Sequence, residues 1–177
     1  MKNIKLLFYA FSILFILSSC KNNDDENPTI NIDNIVGNWK IVDFNGNSTS
    51  TITTQGVDSI ITEVQEGHSY NAFIEISENP KEFLSTGSFT NNITSTNQDQ
   101  IIEQNFDVPA IGINGTWRID GKLFVTTNQG QTKSDTHTIL ELSTNTLIIR
   151  TKIEEEITKN GVTRITQTET FQTFEKQ

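Results

Sequence analysis

The chain has 177 residues, one cysteine, two histidines and 22 acidic against 13 basic residues, for a formal net charge of −9. That balance excludes a nucleic-acid partner, because no basic stripe is present to neutralise phosphates, and a single cysteine excludes an internal disulfide. Threonine (25) and isoleucine (24) lead the composition, which favours pleated sheet, since β-branched side chains lose χ1 freedom in a helix.

At the N-terminus Lys2 and Lys5 form a short positive segment, followed by an apolar run of 12 residues from Leu6 to Leu17. A membrane span needs about 20, so residues 1–19 read as a signal peptide, to be set apart from the fold. Ser18 and Ser19 then precede the lone Cys20. The segment Leu17-Ser18-Ser19-Cys20 resembles the lipobox of bacterial lipoproteins. The resemblance implies that Cys20 receives a diacylglycerol, that the peptide is cut before it, and that the new amine is acylated. Each buried CH₂ contributes ~0.8 kcal/mol, and two or more chains hold where one binds marginally. An ordinary signal peptide with an incidental Cys20 is the alternative. Removing residues 1–19 leaves 177 − 19 = 158 residues and 11 bases against 22 acids, a charge of −11. Lys21-Asn22-Asn23-Asp24-Asp25-Glu26 is similar to the acidic export signal of surface lipoproteins in some Gram-negative bacteria; a solvated tether is the plainer reading. Residues 20–34 are therefore expected to be a flexible tether after a lipidated cysteine. The expected location is the outer membrane of a Gram-negative bacterium, periplasm-facing or surface-exposed.

Residues 35–177 read as one all-β domain. Gly37–Phe44 is the first β run; Asn45–Ser50 has loop composition, and Thr51–Thr54 and Asp58–Val64 follow. Ala72, Ile74 and Ile76 alternate with Phe73, Glu75 and Ser77, and Phe83, Ser85, Gly87 and Phe89 keep period two. Ile101–Val108 is weaker. Asp120-Gly121 between two β runs predicts a two-residue type I′ hairpin turn. Leu147, Ile149, Ile153 and Ile157 share one face of a long strand, with Ile148, Arg150, Lys152, Glu154 and Glu156 on the other, and Lys159-Asn160-Gly161 turns the chain back. The pattern predicts an antiparallel up-and-down meander of about 8–10 strands, whose edges are best buried by closing into a barrel. A two-sheet sandwich is the alternative.

Gly37-x-Trp39 at the start of the first strand, Gly115–Val125 with Gly115-x-Trp117, and Ile139–Ile149 together resemble bacterial lipocalin-like lipoproteins. The resemblance covers Ile35 to about Phe174. It implies a lipocalin-like barrel in which Trp39 plugs the closed end and a basic side chain of the last strand lies over it as a cation–π lid. Arg164 is the first candidate for that lid and Arg150 the second. Paired cysteines and a C-terminal helix, found in animal lipocalins, are missing here. The family's members mostly have no assigned activity.

His68 and His137 lack metal-ligand spacing, Glu154-Glu155-Glu156 beside Lys152 reads as a solvated strand face, and no nucleophile or phosphate-loop motif occurs. Neither an enzyme nor a cofactor is expected, and the protein is expected to be a monomer. One functional reading is a barrel enclosing a small apolar ligand, lined by Ile74, Ile76, Phe83, Phe89, Leu123, Val125, Leu147 and Ile149. The other is a cell-surface interaction protein whose barrel is filled by those side chains.

Overall fold

The computed structural model describes residues 30–177. The signal peptide, Cys20 and the acids Asp24–Glu26 lie outside the described residues. A single 3-10 turn (Ile32–Asn34), capped by the Asn31 side chain accepting from the Asp33 N–H, leads into the first strand. Nine strands follow: β1 (Gly37–Thr54), β2 (Val57–Ser77), β3 (Glu82–Asn97), β4 (Gln100–Val108), β5 (Asn114–Asp120), β6 (Leu123–Asn128), β7 (Asp135–Leu142), β8 (Thr146–Lys159) and β9 (Val162–Lys176). The expected meander is realised. Hydrogen bonding runs β2-β1-β9-β8-β7-β6-β5-β3, and pairing of β2 with β3 closes a ring of eight antiparallel strands.

Two tiers result from unequal strand lengths. Near Trp39 the ring is complete, with β3 meeting β5 at Glu82–Leu84 and β7 meeting β8 as far as Thr151. Beyond that level β8, β9, β1, β2 and β3 run on together, and β4 joins the far half of β3 from Phe89 to Asn97. The upper tier is thus a six-stranded sheet, with β8 (Lys152–Lys159) and β4 as its edges.

Turn chemistry explains the strand lengths. Gln55-Gly56 and Asn160-Gly161 are two-residue turns with both residues at positive φ (51° and 79°, 52° and 76°). Those are the dihedrals of a type I′ turn, whose twist matches the flanking strands. Asn45–Ser50, expected as a loop, is strand. Its Asn, Gly and Ser residues are paired on both sides, to Glu66–Ile61 of β2 and Phe171–Thr166 of β9, and this double ladder overrides a weak local preference. The β5–β6 turn is displaced by one residue from expectation. Asp120 pairs with Leu123, so Gly121-Lys122 forms the turn, with Gly121 at φ 58°.

Moving the turn by one residue shifts the register by two, so side-chain parity is kept, and pairing against the inward-facing Trp117 decides which residues of β6 face the core. Phe124 and Thr126 face inward, whereas Leu123 is exposed. Val125 is buried, but it pairs with Arg118 and Thr136 and stands outside the apolar cluster. Leu123 and Val125 are therefore not barrel-lining residues.

The core sits in the lower tier. Trp39, Ile41, Ile74, Ile76, Phe124, Leu147, Ile149 and Phe174 are at most 1% exposed and form one cluster with Phe83, Phe89, Trp117 and Ile139. Ile30 and Ile35 pack on the same cluster, so the chain belongs to the folded body from Ile30 onward. Truncating Trp39 to alanine should cost about 3–5 kcal/mol, seen as a large drop in the thermal midpoint. Leu147→Ala should cost about 2–5 kcal/mol and Leu123→Ala within about 1 kcal/mol, the same deletion on opposite faces of the barrel wall.

Candidate recognition surface

Trp39 closes the lower end. Its Nε1–H donates to the Ile35 carbonyl at 2.7 Å, and Lys176 Nζ stands 5.0 Å from its ring centre. Lys176 lies directly opposite Trp39 in the β1–β9 register. The lid therefore comes from the last strand, as the resemblance implies, but from Lys176 and not from Arg164. Arg164 pairs with Ile52, thirteen residues farther along β1, which at ~3.3 Å per residue is about 40 Å away. Arg150 points outward to Glu169, at 3.7 Å. Gly37 makes room for this arrangement: its φ is 138°, and a Cβ there would meet the Lys176 side chain. The second Gly-x-Trp is built alike. Trp117 Nε1–H donates to the Ser77 carbonyl at 2.8 Å, Lys81 Nζ lies 4.9 Å from the ring, and a Cβ on Gly115 would meet the Thr127 backbone carbonyl.

At the waist two irregularities face one another. β1 shifts register between Lys40 and Asn45 against β2 and between Ile41 and Asp43 against β9, and β2 shifts between His68 and Asn71 against β3. The bulge in β1 lets Ile41 and Phe44 both turn inward and leaves the Phe44 N–H without a ladder partner on β2. It donates instead to the Tyr70 hydroxyl, at 3.0 Å. Burial raises the Tyr70 pKa above its usual 10, nearby Asp43 adds to the rise, and the Phe44 N–H opposes it. Tyr70, Phe44 and Phe89 form an aromatic layer, with Phe89 centred 5.0 Å from Phe44 and 5.7 Å from Tyr70.

The segment between β4 and β5 then lies across the mouth of the lower barrel. Ala110 and Ile111 join the core cluster. The Ser85 hydroxyl on β3 donates to the Ile111 carbonyl at 2.6 Å, and the Gln172 amide on β9 donates to the Ala110 carbonyl at 2.8 Å. Two separated walls thus hold the chain's own backbone in the opening. Of the eight expected lining residues, Ile74, Ile76, Phe83, Phe89, Leu147 and Ile149 do come together, packed against one another beneath this stopper.

Inside the wall by β6–β8 sits a small polar set. His137 Nε2 is 3.2 Å from the Thr126 hydroxyl and Nδ1 is 2.7 Å from the Thr151 hydroxyl. Burial holds the His137 pKa below its usual 6.5, against a smaller upward pull from Asp135. Among the described residues no group of three or more His, Cys, Asp or Glu is placed to hold a metal ion. His137 and Thr151 also line a solvent-open groove of about 550 Å³, together with Ala110, Ile111, Lys133 and Glu154 among others.

Above the waist the inner face changes character. Cross-strand partners share a face, so the register assigns Ser48, Ser50 and Ile52, Ile61, Glu63 and Gln65, Ile93 and Ser95, and Thr166 and Thr168 to it. Hydroxyls knit its centre: Arg164 Nη2 donates to Ser50 Oγ at 2.9 Å, Ser50 lies 2.9 Å from the Thr166 hydroxyl, and Thr168 donates to Ser48 at 3.1 Å. At its margins Ile102 and Phe106 of β4, and Ile153 and Ile157 of β8, are about half exposed. The β8 face assignment matches the sequence pattern. The edges β4 and β8 were the sites that pattern did not single out, although Ile101-Ile102 and Phe106 carry a strand signal.

Neither a family model nor a curated protein matches the chain. Among solved structures it is similar to the crystal structure of Ail, the attachment invasion locus protein of Yersinia pestis. The identity is 8%, over 78% of this chain and 99% of that one, with a TM-score of 0.26. A likeness of that size adds nothing to what the strands themselves establish.

The buried histidine gives a pH test. A histidine with a depressed folded pKa binds protons more readily when unfolded, so stability is full above pH ~6.5 and falls as pH drops below it. His137→Gln removes the titration and keeps hydrogen-bonding atoms. Between pH 7.5 and 5 the thermal midpoint of the wild type should fall further than that of His137→Gln; parallel curves would show that His137 is not the group involved.

Proposed function

We propose that this protein is a bacterial lipoprotein, anchored in the outer membrane through Cys20, whose lipocalin-like barrel serves as an interaction module and not as a container. The observation that carries the reading is the stopper: Ala110 and Ile111 fill the mouth of the lower barrel, above a closely packed set of aliphatic and aromatic side chains. A small apolar ligand would have to displace those groups, each already in apolar surroundings, and would gain little from the exchange. The eight-stranded ring, the Gly37-x-Trp39 entry and the last-strand cation over Trp39 support kinship with the lipocalin-like lipoproteins. Recognition then falls to the upper sheet, which offers polar and apolar groups together on an uncovered face. Lipid on Cys20 would tether this surface to the membrane through residues 21–29.

The test has two parts on the full chain produced in a Gram-negative host. Labelled palmitate should enter the wild type and not Cys20→Ser, and an unlabelled wild type would remove the anchor from the proposal. Organic-solvent extraction followed by mass spectrometry should release no apolar molecule in stoichiometric amount. A co-purified molecule near one per chain would restore the container reading.

A further inference from the structure

We propose that the outer edge of β4 accepts an extended, cation-bearing polypeptide strand, which adds to the upper sheet by backbone pairing. This rests on the reading of the upper sheet as the recognition surface, and names the edge and the class of partner.

The backbone is available. Among the described strands β4 pairs with β3 alone. Asn97 and Gln100 close a two-residue turn, so they form a hydrogen-bonded pair, and alternate residues beyond them point the other way. The N–H and C=O groups of Ile101, Glu103, Asn105 and Asp107 therefore face away from β3. A nine-residue edge is about 30 Å long, enough for a partner strand of ordinary length to pair along it.

The side chains select the partner. Residues 57–67 and 90–108, the upper parts of β2, β3 and β4, hold Asp58, Glu63, Glu66, Asp99, Glu103 and Asp107 and neither lysine nor arginine. On β4 itself Glu103 and Asp107 share one face with Ile101, while Ile102 and Phe106 lie on the other. An added strand is thus matched when cations alternate with apolar residues. A second copy of this chain is a poor match. Antiparallel pairing of β4 with β4 centred on Glu103 or Asn105 sets acid against acid, and the other free edge, β8, presents Glu154, Glu155 and Glu156 against one lysine at its tip, Lys159, with Lys152 already 3.1 Å from Glu169. Like charges placed opposite across strands are destabilising.

Charges on an edge ordinarily blunt it against unwanted pairing. Here the acids serve that end against an acidic chain, but a purely defensive edge would not also expose Ile101 (67%), Ile102 (54%) and Phe106 (47%). Acids that reject self and apolar groups that reward contact together describe a surface kept open for a basic strand.

The experiment uses fluorescence anisotropy on the full chain in non-ionic detergent with three labelled nine-residue peptides. One alternates lysine with isoleucine or threonine, one carries proline at each of the latter positions, and one carries glutamate in place of lysine. The first should bind at least tenfold more tightly than either control, with an affinity that falls as salt rises. Asn105→Pro removes an outward N–H without touching the ladder to β3, and should weaken binding at least tenfold at an unchanged thermal midpoint. Glu103→Lys, which leaves the backbone alone, should lower affinity for the lysine peptide and raise it for the glutamate peptide. Equal binding of the proline peptide would mean charge attraction without strand addition and would overturn the inference. Binding that both β4 variants leave intact would place the partner elsewhere on the sheet, overturning the inference while sparing the interaction-module reading. An extracted barrel ligand would strike the latter alone.

Discussion

Pairing of the first strand with the last is the constraint on which the rest of the molecule depends. β1 runs against β9 from Trp39 opposite Lys176 to Thr54 opposite Val162. This joins residues more than a hundred positions apart, so its loop-closure cost is met late and is repaid by a ladder that spans both tiers. The same register sets the lower plug, because it places Lys176 over the Trp39 ring and leaves Gly37 as the residue that can lie beneath it. With no cysteine among the described residues, closure rests on non-covalent contacts: backbone hydrogen bonds, apolar packing, and the side-chain bonds that Arg164, Thr166 and Thr168 make to Ser48 and Ser50.

A waist divides the sheet into two tiers of different chemistry. Below it the inner face is mostly aliphatic and aromatic, with Ser85 and the Thr126–His137–Thr151 set hydrogen-bonded within it; above it Ser, Thr, Gln and Glu take over with a thinner set of isoleucines. The paired bulges in β1 and β2 make the change possible, since each shifts side-chain parity and the Tyr70 hydroxyl satisfies the N–H the β1 bulge leaves free. The chain returning from β4 uses that level to enter the barrel mouth, where polar side chains from two walls hold its carbonyls. Stability and exposure are thereby assigned to different parts of one continuous sheet.

The upper tier stays open because its neighbours are short. β5, β6 and β7 span 7, 6 and 8 residues, whereas β8, β9, β1, β2 and β3 span 14 to 21. The short strands end near the waist, and nothing among the described residues bridges from β8 to β4 above it. Two long edges are the unavoidable geometric result. Their acidic side chains lower the tendency of copies to join, and the net negative charge of the chain works in the same direction.

Much of this was legible in the amino-acid order. Threonine and isoleucine at alternate positions, with Asn160-Gly161 between long runs, determined an all-β antiparallel meander, because period-two patterning and positive-φ turns are local properties. The inward set Ala72, Ile74, Ile76, Leu147 and Ile149 followed from the same alternation, whereas the plug at Trp39 was expected from the resemblance carried by Gly37-x-Trp39. Tertiary structure alone decided the rest. Whether Asn45–Ser50 is loop or strand depends on ladders to two remote strands. Phe124 faces inward and Leu123 and Val125 do not because β6 is paired against β5, whose Trp117 and Ile119 face the core. Lys176, and not Arg164, caps Trp39 because register between distant strands sets proximity, and residue type does not. The stopper at Ala110–Ile111 and the open edge of β4 exist only once the ring is closed. Local order specifies which face a residue can take, and closure specifies what that face meets.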